Sequence, residues 1–346
     1  MTASSPVFSL DFPVASVHER HSALFRHQPE DFFVEEILGF EPDEQGEHLW
    51  IYLEKTGLNT HDVARMISEK SGLKIRDIGY SGMKDKKAVT RQWFSIRSNK
   101  DFNFDGLQGV QLLDQRRNSR KLKRGMHREN CFRIRLREML TDKNMESVAK
   151  GAVTIKQQGV PNYFGLQRFG KEGANLEKSA ALFDGKMRNC PRFQRSIYLS
   201  AARAYLFNSV LGKRVEAGNW NSFLEGDMMS LNGTSSVFKA EVGDEGIAGR
   251  LSDGDIHPTG PLWGAGKLET EGQVRLLESD VADTHELLAR GLEHEGLKQE
   301  RRALRVQPMD FSYSPDGEDA LVLEFRLPRG SYATSVLREL VKAPGL

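Results

Sequence analysis

Gly79-Tyr80-Ser81-Gly82-Met83-Lys84-Asp85-Lys86-Lys87-Ala88-Val89-Thr90-Arg91-Gln92-Trp93 sets one carboxylate, Asp85, among three lysines in a turn rich in glycine. Ile78-Gly79-Tyr80 before it and Trp93-Phe94-Ser95-Ile96 after it have strand character, so Asp85 falls on a loop between two strands. Loops held by a rigid sheet are common sites of function. The positive potential of Lys84, Lys86 and Lys87 favours an ionised carboxylate, available as nucleophile or base. On spacing alone the favoured reading of Asp85 is a turn residue bonding a nearby backbone N–H.

Upstream, Phe32–Leu38 and Leu49–Leu53 are short runs rich in β-branched and aromatic residues, separated by Pro42 and Gly46, and read as paired strands. Asn59 or Thr60 can cap a helix bearing Val63, Ala64, Met66 and Ile67, with Gly72 as its stop. Downstream, Phe132, Ile134 and Leu136 alternate with Arg133, Arg135 and Arg137, the period of a strand with one apolar and one basic face. Ten Arg or Lys residues lie between 116 and 137, against the single acid Glu129. Such a block, with Arg120, Lys121, Lys123 and Arg124 at its centre, is either a solvated face or a surface that binds nucleic acid by releasing counterions from its phosphates.

A helix with Met145, Val148, Ala149, Ala152 and Ile155 leads to Gly159, after which Val160–Gly170 is too broken by Pro and Gly for helix or central strand. A domain boundary is placed there. Beyond it follow a helix over Ser200–Leu211, a hairpin signal at Asn232-Gly233, a Pro/Gly-rich loop over His257–Gly264 and polar helical sequence over Glu278–Arg302. Strand character returns at Leu321–Leu327, before a closing helix around Val336, Leu337 and Leu340. Strands do not alternate regularly with helices, which favours α+β over a doubly wound sheet.

The 346 residues, 38 % of them hydrophobic, suffice for about two domains of roughly 150 residues each. Two cysteines without C-x-x-C spacing support neither a disulfide framework nor a zinc ribbon, and a reducing cytoplasm is the expected compartment. The first thirty residues lack an apolar block, so no signal peptide or membrane span is expected. The nine histidines form no H-E-x-x-H arrangement and no Walker-type loop is present, so no metal and no cofactor is expected.

The fifteen-residue stretch closely resembles the catalytic motif of the TruD family of tRNA pseudouridine synthases, in which an aspartate follows Gly-x-Lys and precedes Ala-Val-Thr-x-Gln-Trp. The resemblance continues in order through Pro29-Glu30-Asp31-Phe32, Asn130-Cys131-Phe132, Val160–Gly165, Gln167–Gly170, Leu199–Arg203, Gly260–Gly264 and Gly330–Leu340. It implies a mixed, mostly antiparallel-sheet pseudouridine synthase catalytic domain, residues 1–159 and 305–346, interrupted by an inserted α+β TRUD domain, residues 160–304. It implies tRNA as the partner, with no obligatory protein partner evident, and isomerisation of uridine 13 in the D arm with Asp85 as the catalytic carboxylate. Whether that carboxylate attacks C1′, adds to C6 or takes the 2′ proton is left open.

By the same resemblance Phe132 stacks on the flipped base with Asn130 beside it, Lys84 joins the substrate site, and Lys86, Lys87 and Arg168 contact RNA. Phe132 also lies on the apolar face of its strand, where core packing is an equally natural role. Where the family has a lysine before Pro-Glu-Asp-Phe this chain has Arg26, which keeps the charge and changes the hydrogen-bond geometry. The alternative from another class is a non-catalytic RNA-binding protein using the 116–137 surface.

Overall fold

In the computed structural model, which describes residues 8–346 except 140, 188 and 242, the alternating segment around Phe132 is a nine-residue strand, Glu129–Arg137, in the interior of the largest sheet. Seven strands form the path of this sheet: β1 (Phe32–Ile37), β2 (His48–Thr56), β3 (Val89–Arg97), β4 (Val110–Asn118), β5 (Glu129–Arg137), β6 (Met309–Asp316) and β7 (Ala320–Pro328). Their spatial order is β6-β7-β5-β1-β3-β2-β4. All neighbours are antiparallel except β1 and β3, which run parallel with Val34 opposite Thr90. Two short strands, Leu24–Phe25 on β5 and Gly79–Tyr80 on β3, complete it.

β1 and β2 were expected to pair with each other, but β3 lies between them. The connection over residues 38–47 is longer than a tight hairpin allows. β3 has apolar side chains on both faces, with Phe94 and Ile96 on one and Trp93 on the other, as suits a strand bonded on both sides. Tyr52 stacks on Trp93 with centroids 4.9 Å apart.

The helix Thr60–Ser71, α1, begins at Asn59, whose side chain accepts from the Asp62 amide while Asp62 accepts from the Asn59 amide. That reciprocal cap satisfies two otherwise unpaired donors. It ends at Gly72, whose φ of 72° is the left-handed stop read in the sequence. Val63, Ala64 and Ile67 are fully buried against Leu49, Ile51, Leu53, Phe94 and Ile96. The helix therefore covers one face of the sheet and leaves its own first turn at the rim.

Contacts divide the chain into two compact units. The sheet unit comprises residues 22–146 and 308–330; the helical unit comprises residues 8–21, 147–307 and 331–346. Both are discontinuous. These limits differ from the 159 and 305 boundaries read in the sequence, because most of the Asp142–Gln158 helix and the whole Ala333–Leu340 helix group with the intervening segment. Gly151, in mid-helix, is where this happens: a Cβ there would lie 2.6 Å from Leu340, so the missing side chain lets the two helices approach.

The helical unit packs around the 25-residue helix Arg192–Glu216, whose Ala201, Ala202, Leu206, Phe207 and Leu211 are buried with Tyr163, Phe169 and Leu292. Asn232-Gly233 does turn a hairpin, between Met228–Leu231 and Val237–Lys239. The Pro/Gly-rich segment expected as a loop is instead a strand, Ile256–Leu262. Its first half pairs with Met229–Leu231 and its second half with Glu300–Ala303, so each proline has a ladder on one side only, where a missing N–H is tolerated. The polar helix expected to reach Arg302 stops at His294, and Gly296 at φ 74° turns the chain into the Glu300–Ala303 strand. No helix among the described residues is long and apolar enough to cross a membrane.

Candidate active site

On the face covered by α1, four strands end their apolar stripes in polar residues. In β1 the inward series is Phe32, Val34, Glu36; in β2 it is Leu49, Ile51, Leu53, Lys55; in β3 it is Ile96, Phe94, Gln92, Thr90; in β5 it is Leu136, Ile134, Phe132, Asn130. The register sets Phe132, Val34, Thr90 and Lys55 in one row across the sheet, with Asn130 opposite Glu36 in the next. The loop 81–88 lies over these polar ends, and Asp85 is on it.

Three peptide groups at and just before Asp85 have side-chain partners from the scaffold. The Lys84 amide donates to Thr60 Oγ1 at 2.8 Å, Thr60 Oγ1 donates to Gln92 Oε1 at 2.9 Å, and Gln92 Nε2 donates to the Gly82 carbonyl at 3.3 Å. Lys55 Nζ donates to the Asp85 carbonyl at 2.9 Å and to the Leu58 carbonyl at 2.6 Å. Lys55 is only 1 % exposed, and burial pushes its ammonium down to about 8 against the opposing pull of the Asp85 carboxylate.

The Asp85 carboxylate is 40 % exposed, and Arg26 Nη2 donates to its Oδ2 at 2.9 Å. Arg26 adopts φ 58°, a conformation uncommon for a residue with a Cβ. Its guanidinium lies 4.1 Å from the centroid of Phe32 and 4.8 Å from that of Phe25, so an aromatic floor aims it at the carboxylate. Burial lowers the affinity of this guanidinium for its proton, and the Asp85 charge opposes that shift. Asp31 positions the segment: it accepts from the Gln28 amide and takes a bidentate bond from Arg137 of β5.

Lys84, expected at the substrate, turns into the protein. Its Nζ donates to Glu36 Oε2 and to Asn130 Oδ1, both at 2.9 Å, and the Glu36 side chain is fully buried. Asn130 thereby meets Lys84. His127 Nδ1 shares a 2.7 Å hydrogen bond with Ser81 Oγ and lies 3.8 Å from Glu36; burial holds this imidazole below its ordinary pKa, opposed by Glu36. A Cβ on Gly82 would come within 2.7 Å of Lys84 Nζ and 2.8 Å of Glu36 Oε2, so a larger residue there would have to displace the ends of the pair. Phe132 is 6 % exposed, stacked on Phe325 at 5.4 Å and tilted against Phe32 at 6.1 Å.

The basic block separates into two kinds of residue. Arg116, Arg117, Arg133, Arg135 and Arg137 all pair with carboxylates of the sheet unit. Lys86, Lys87, Arg120 and Lys123 are exposed and have no ion pair among the described residues. Lys121 donates to the Arg76 carbonyl, and Arg124 donates to the Tyr80 hydroxyl and covers its ring at 4.2 Å. The loop carrying Arg120–Arg124 is fastened beside the Asp85 loop: the Gly125 amide donates to the Ser81 carbonyl, and the His127 amide to Ser81 Oγ. Arg168 belongs to the helical unit, where it donates to Ser200 Oγ and to the Tyr332 hydroxyl.

Sequence reasoning missed Lys55, Glu36, Thr60, Gln92, Ser81 and His127. The signal for the three strand residues, Lys55, Glu36 and Gln92, was present, a polar side chain on the buried register of an alternating strand, where its desolvation has to be offset by a partner.

The sequence matches the family described as tRNA pseudouridine synthase D (TruD) over residues 15–182 and 174–340. It is 40 % identical to the tRNA pseudouridine synthase D of Chromohalobacter salexigens, over 99 % of this chain and 100 % of that protein. It is 43 % identical to that of Methylococcus capsulatus, over 96 % and 94 %. The crystal structure of a putative tRNA pseudouridine synthase D from Methanosarcina mazei shares the fold, with a TM-score of 0.74 across 98 % of each chain at 24 % identity. With the fold, the motif around Asp85 and full-length relatives in agreement, the chain belongs to the tRNA pseudouridine synthase D family.

Proposed function

We propose that this protein isomerises uridine to pseudouridine in tRNA, at uridine 13 of the D arm, with Asp85 as the catalytic carboxylate. The observation that carries the reading is the exposed Asp85 carboxylate, held by Arg26 on a loop whose peptide groups are tied to the sheet. Membership in a family whose members are named for this reaction supports the substrate class. In the rearrangement the N1–C1′ bond breaks, the C5–C1′ bond forms, the C5 hydrogen leaves as a proton, and N1 gains one.

The chain's residues supply three things to that chemistry. Arg26 fixes the direction of Oδ2 through a charge-assisted hydrogen bond. The loop bonds hold the carboxylate ready, so little reorganisation is needed when it acts. Lys86, Lys87, Arg120 and Lys123 offer cations to backbone phosphates, which secures RNA without reading its sequence. The base must be flipped out to reach Asp85, and Phe132, whose ring is packed between Phe32 and Phe325, can meet it only with an edge unless that packing opens.

Release of tritium from tRNA labelled at uridine C5 tests the reaction, and pseudouridine mapping of the product tests position 13. Asp85→Asn is expected to abolish turnover while leaving tRNA affinity intact. Full activity in that variant refutes the catalytic role, and tight binding without turnover by the unaltered protein favours the non-catalytic RNA-binding alternative.

A further inference from the structure

Lys55 stands apart from the other cations near Asp85. Arg26 faces the Asp85 carboxylate and Lys84 faces Glu36, whereas Lys55, almost wholly buried, makes its hydrogen bonds to two main-chain carbonyls, Leu58 and Asp85. A buried ammonium without a carboxylate against it is costly, and an apolar residue would continue the Leu49, Ile51, Leu53 stripe without that cost. What the ammonium does provide is a charged donor beneath the main chain of one particular residue. Hydrogen bonds from a charged donor are roughly twice as strong as neutral ones.

We propose that Lys55 is a positioning residue for the catalytic carboxylate, its ammonium fixing the main chain of Asp85 from beneath while Arg26 fixes the side chain. The inference rests on the reading that Asp85 is catalytic. The second carbonyl, Leu58, lies in the turn between β2 and α1, so Lys55 ties the catalytic loop to the start of the helix whose Thr60 holds the next amide. The charged groups around the ammonium are Asp85 and Lys84 from the loop and Asp62 from α1. As the pH rises through about 8 the amine keeps its N–H donors and loses its charge, which weakens the hold on the Asp85 carbonyl and removes positive potential next to the carboxylate.

The test is single-turnover tritium release from a uridine-labelled tRNA transcript, run from pH 6.5 to 9.5 on the full-length protein, with Lys55→Met and Asp85→Asn alongside. Lys55→Met is expected to lower the rate constant about 10- to 100-fold, the loss that a displacement of roughly 1 Å at a reacting group brings, with tRNA affinity within about threefold of the parent. The parent rate is expected to fall as the pH passes about 8, and the Lys55→Met rate to stay level there. A folded Lys55→Met protein with the parent's rate constant overturns the proposal, as does an equal alkaline decline in both proteins. If Lys55→Met does not fold by circular dichroism, the parent profile decides: a decline near pH 8 at constant affinity supports the role, and a level rate to pH 9.5 overturns it. Activity in Asp85→Asn removes the reading of Asp85 itself, whereas an inactive Asp85→Asn beside a fully active Lys55→Met removes only the role of Lys55.

Discussion

Replacing Glu36 by Gln isolates the buried charge beneath the Asp85 loop. Lys84 Nζ and Glu36 Oε2 are 2.9 Å apart, with side-chain exposures of 6 % and 0 %. At an effective dielectric of about 20, unit charges at that distance attract by roughly 6 kcal/mol. Desolvating the two ions costs several kcal/mol each, so the intact pair nets close to zero. Removing one member forfeits the attraction and leaves the other desolvated, which costs about 3–5 kcal/mol.

Glu36→Gln is therefore expected to destabilise the sheet unit by about that amount, and Lys84→Met similarly. The double variant should cost less than the sum of the two by about 2 kcal/mol, since no lone charge is left behind. Two units need not unfold together, so the signal has to come from one of them. Trp50 and Trp93 lie in the sheet unit and Trp220 and Trp263 in the helical unit, so urea titrations read by fluorescence in a Trp220→Phe, Trp263→Phe background report the sheet unit alone. Single losses below about 1 kcal/mol, or strictly additive ones, would refute the reasoning, because they would mean that Lys84 swings out to water and the pair does not hold the loop.

The two classes of cation in the 116–137 block should differ in solution. Arg120→Ala and Lys123→Ala, which remove exposed cations free of ion pairs among the described residues, should each weaken tRNA binding and lower the slope of log affinity against log salt by about one, whereas Arg137→Ala, bound to Asp31, should leave the slope unchanged in a filter-binding titration. The helical unit should lose stability in acid through His257, which is 3 % exposed and held at about 4 by burial and by Arg305. A base whose pKa is depressed on folding binds more protons when unfolded, so stability falls as the pH drops from about 6.5 towards 4, by up to about 3 kcal/mol, and His257→Phe should flatten that part of the urea-midpoint profile.

What could be read from the sequence follows from how local its causes are. The caps of α1, Asn59 and Gly72, act within one turn of the chain and were visible as residue types. The alternation in β5 needs only the strand's own periodicity. The placement of β3 between β1 and β2 depends on a segment some forty residues away, so no local pattern shows it. The strand Ile256–Leu262 was hidden because its prolines argue against a central strand, and only the change of partner midway makes them compatible.

The site divides in the same manner. Asp85 stood out because a whole motif surrounds it, and Arg26 because it stands where the family has another cation; the structure sets the two side chains 2.9 Å apart. Lys84 was placed at the substrate by the resemblance, which carries residue types and not directions, and the side chains of Asp85 and Lys84 leave the loop on opposite sides. One points to solvent and the other to Glu36.

Those opposite directions bear on how a carboxylate can serve a polyanionic substrate. Asp85 carries a negative charge at an exposed position to which RNA phosphates must come, and like charges repel across such a site. Within the cluster the formal charges are Arg26, Lys55 and Lys84 on one side against Asp85, Glu36 and, from α1, Asp62 on the other, which balance while Lys55 is protonated. Glu36 cancels the one cation that is turned away, so the remaining two act on Asp85, one through its side chain and one through its carbonyl. The cluster then presents no net negative charge to the RNA. Loss of the Lys55 proton leaves the cluster one charge negative, so binding that is insensitive to pH across this range would place the attraction for tRNA in Lys86, Lys87, Arg120 and Lys123, and leave Arg26 and Lys55 to the chemistry.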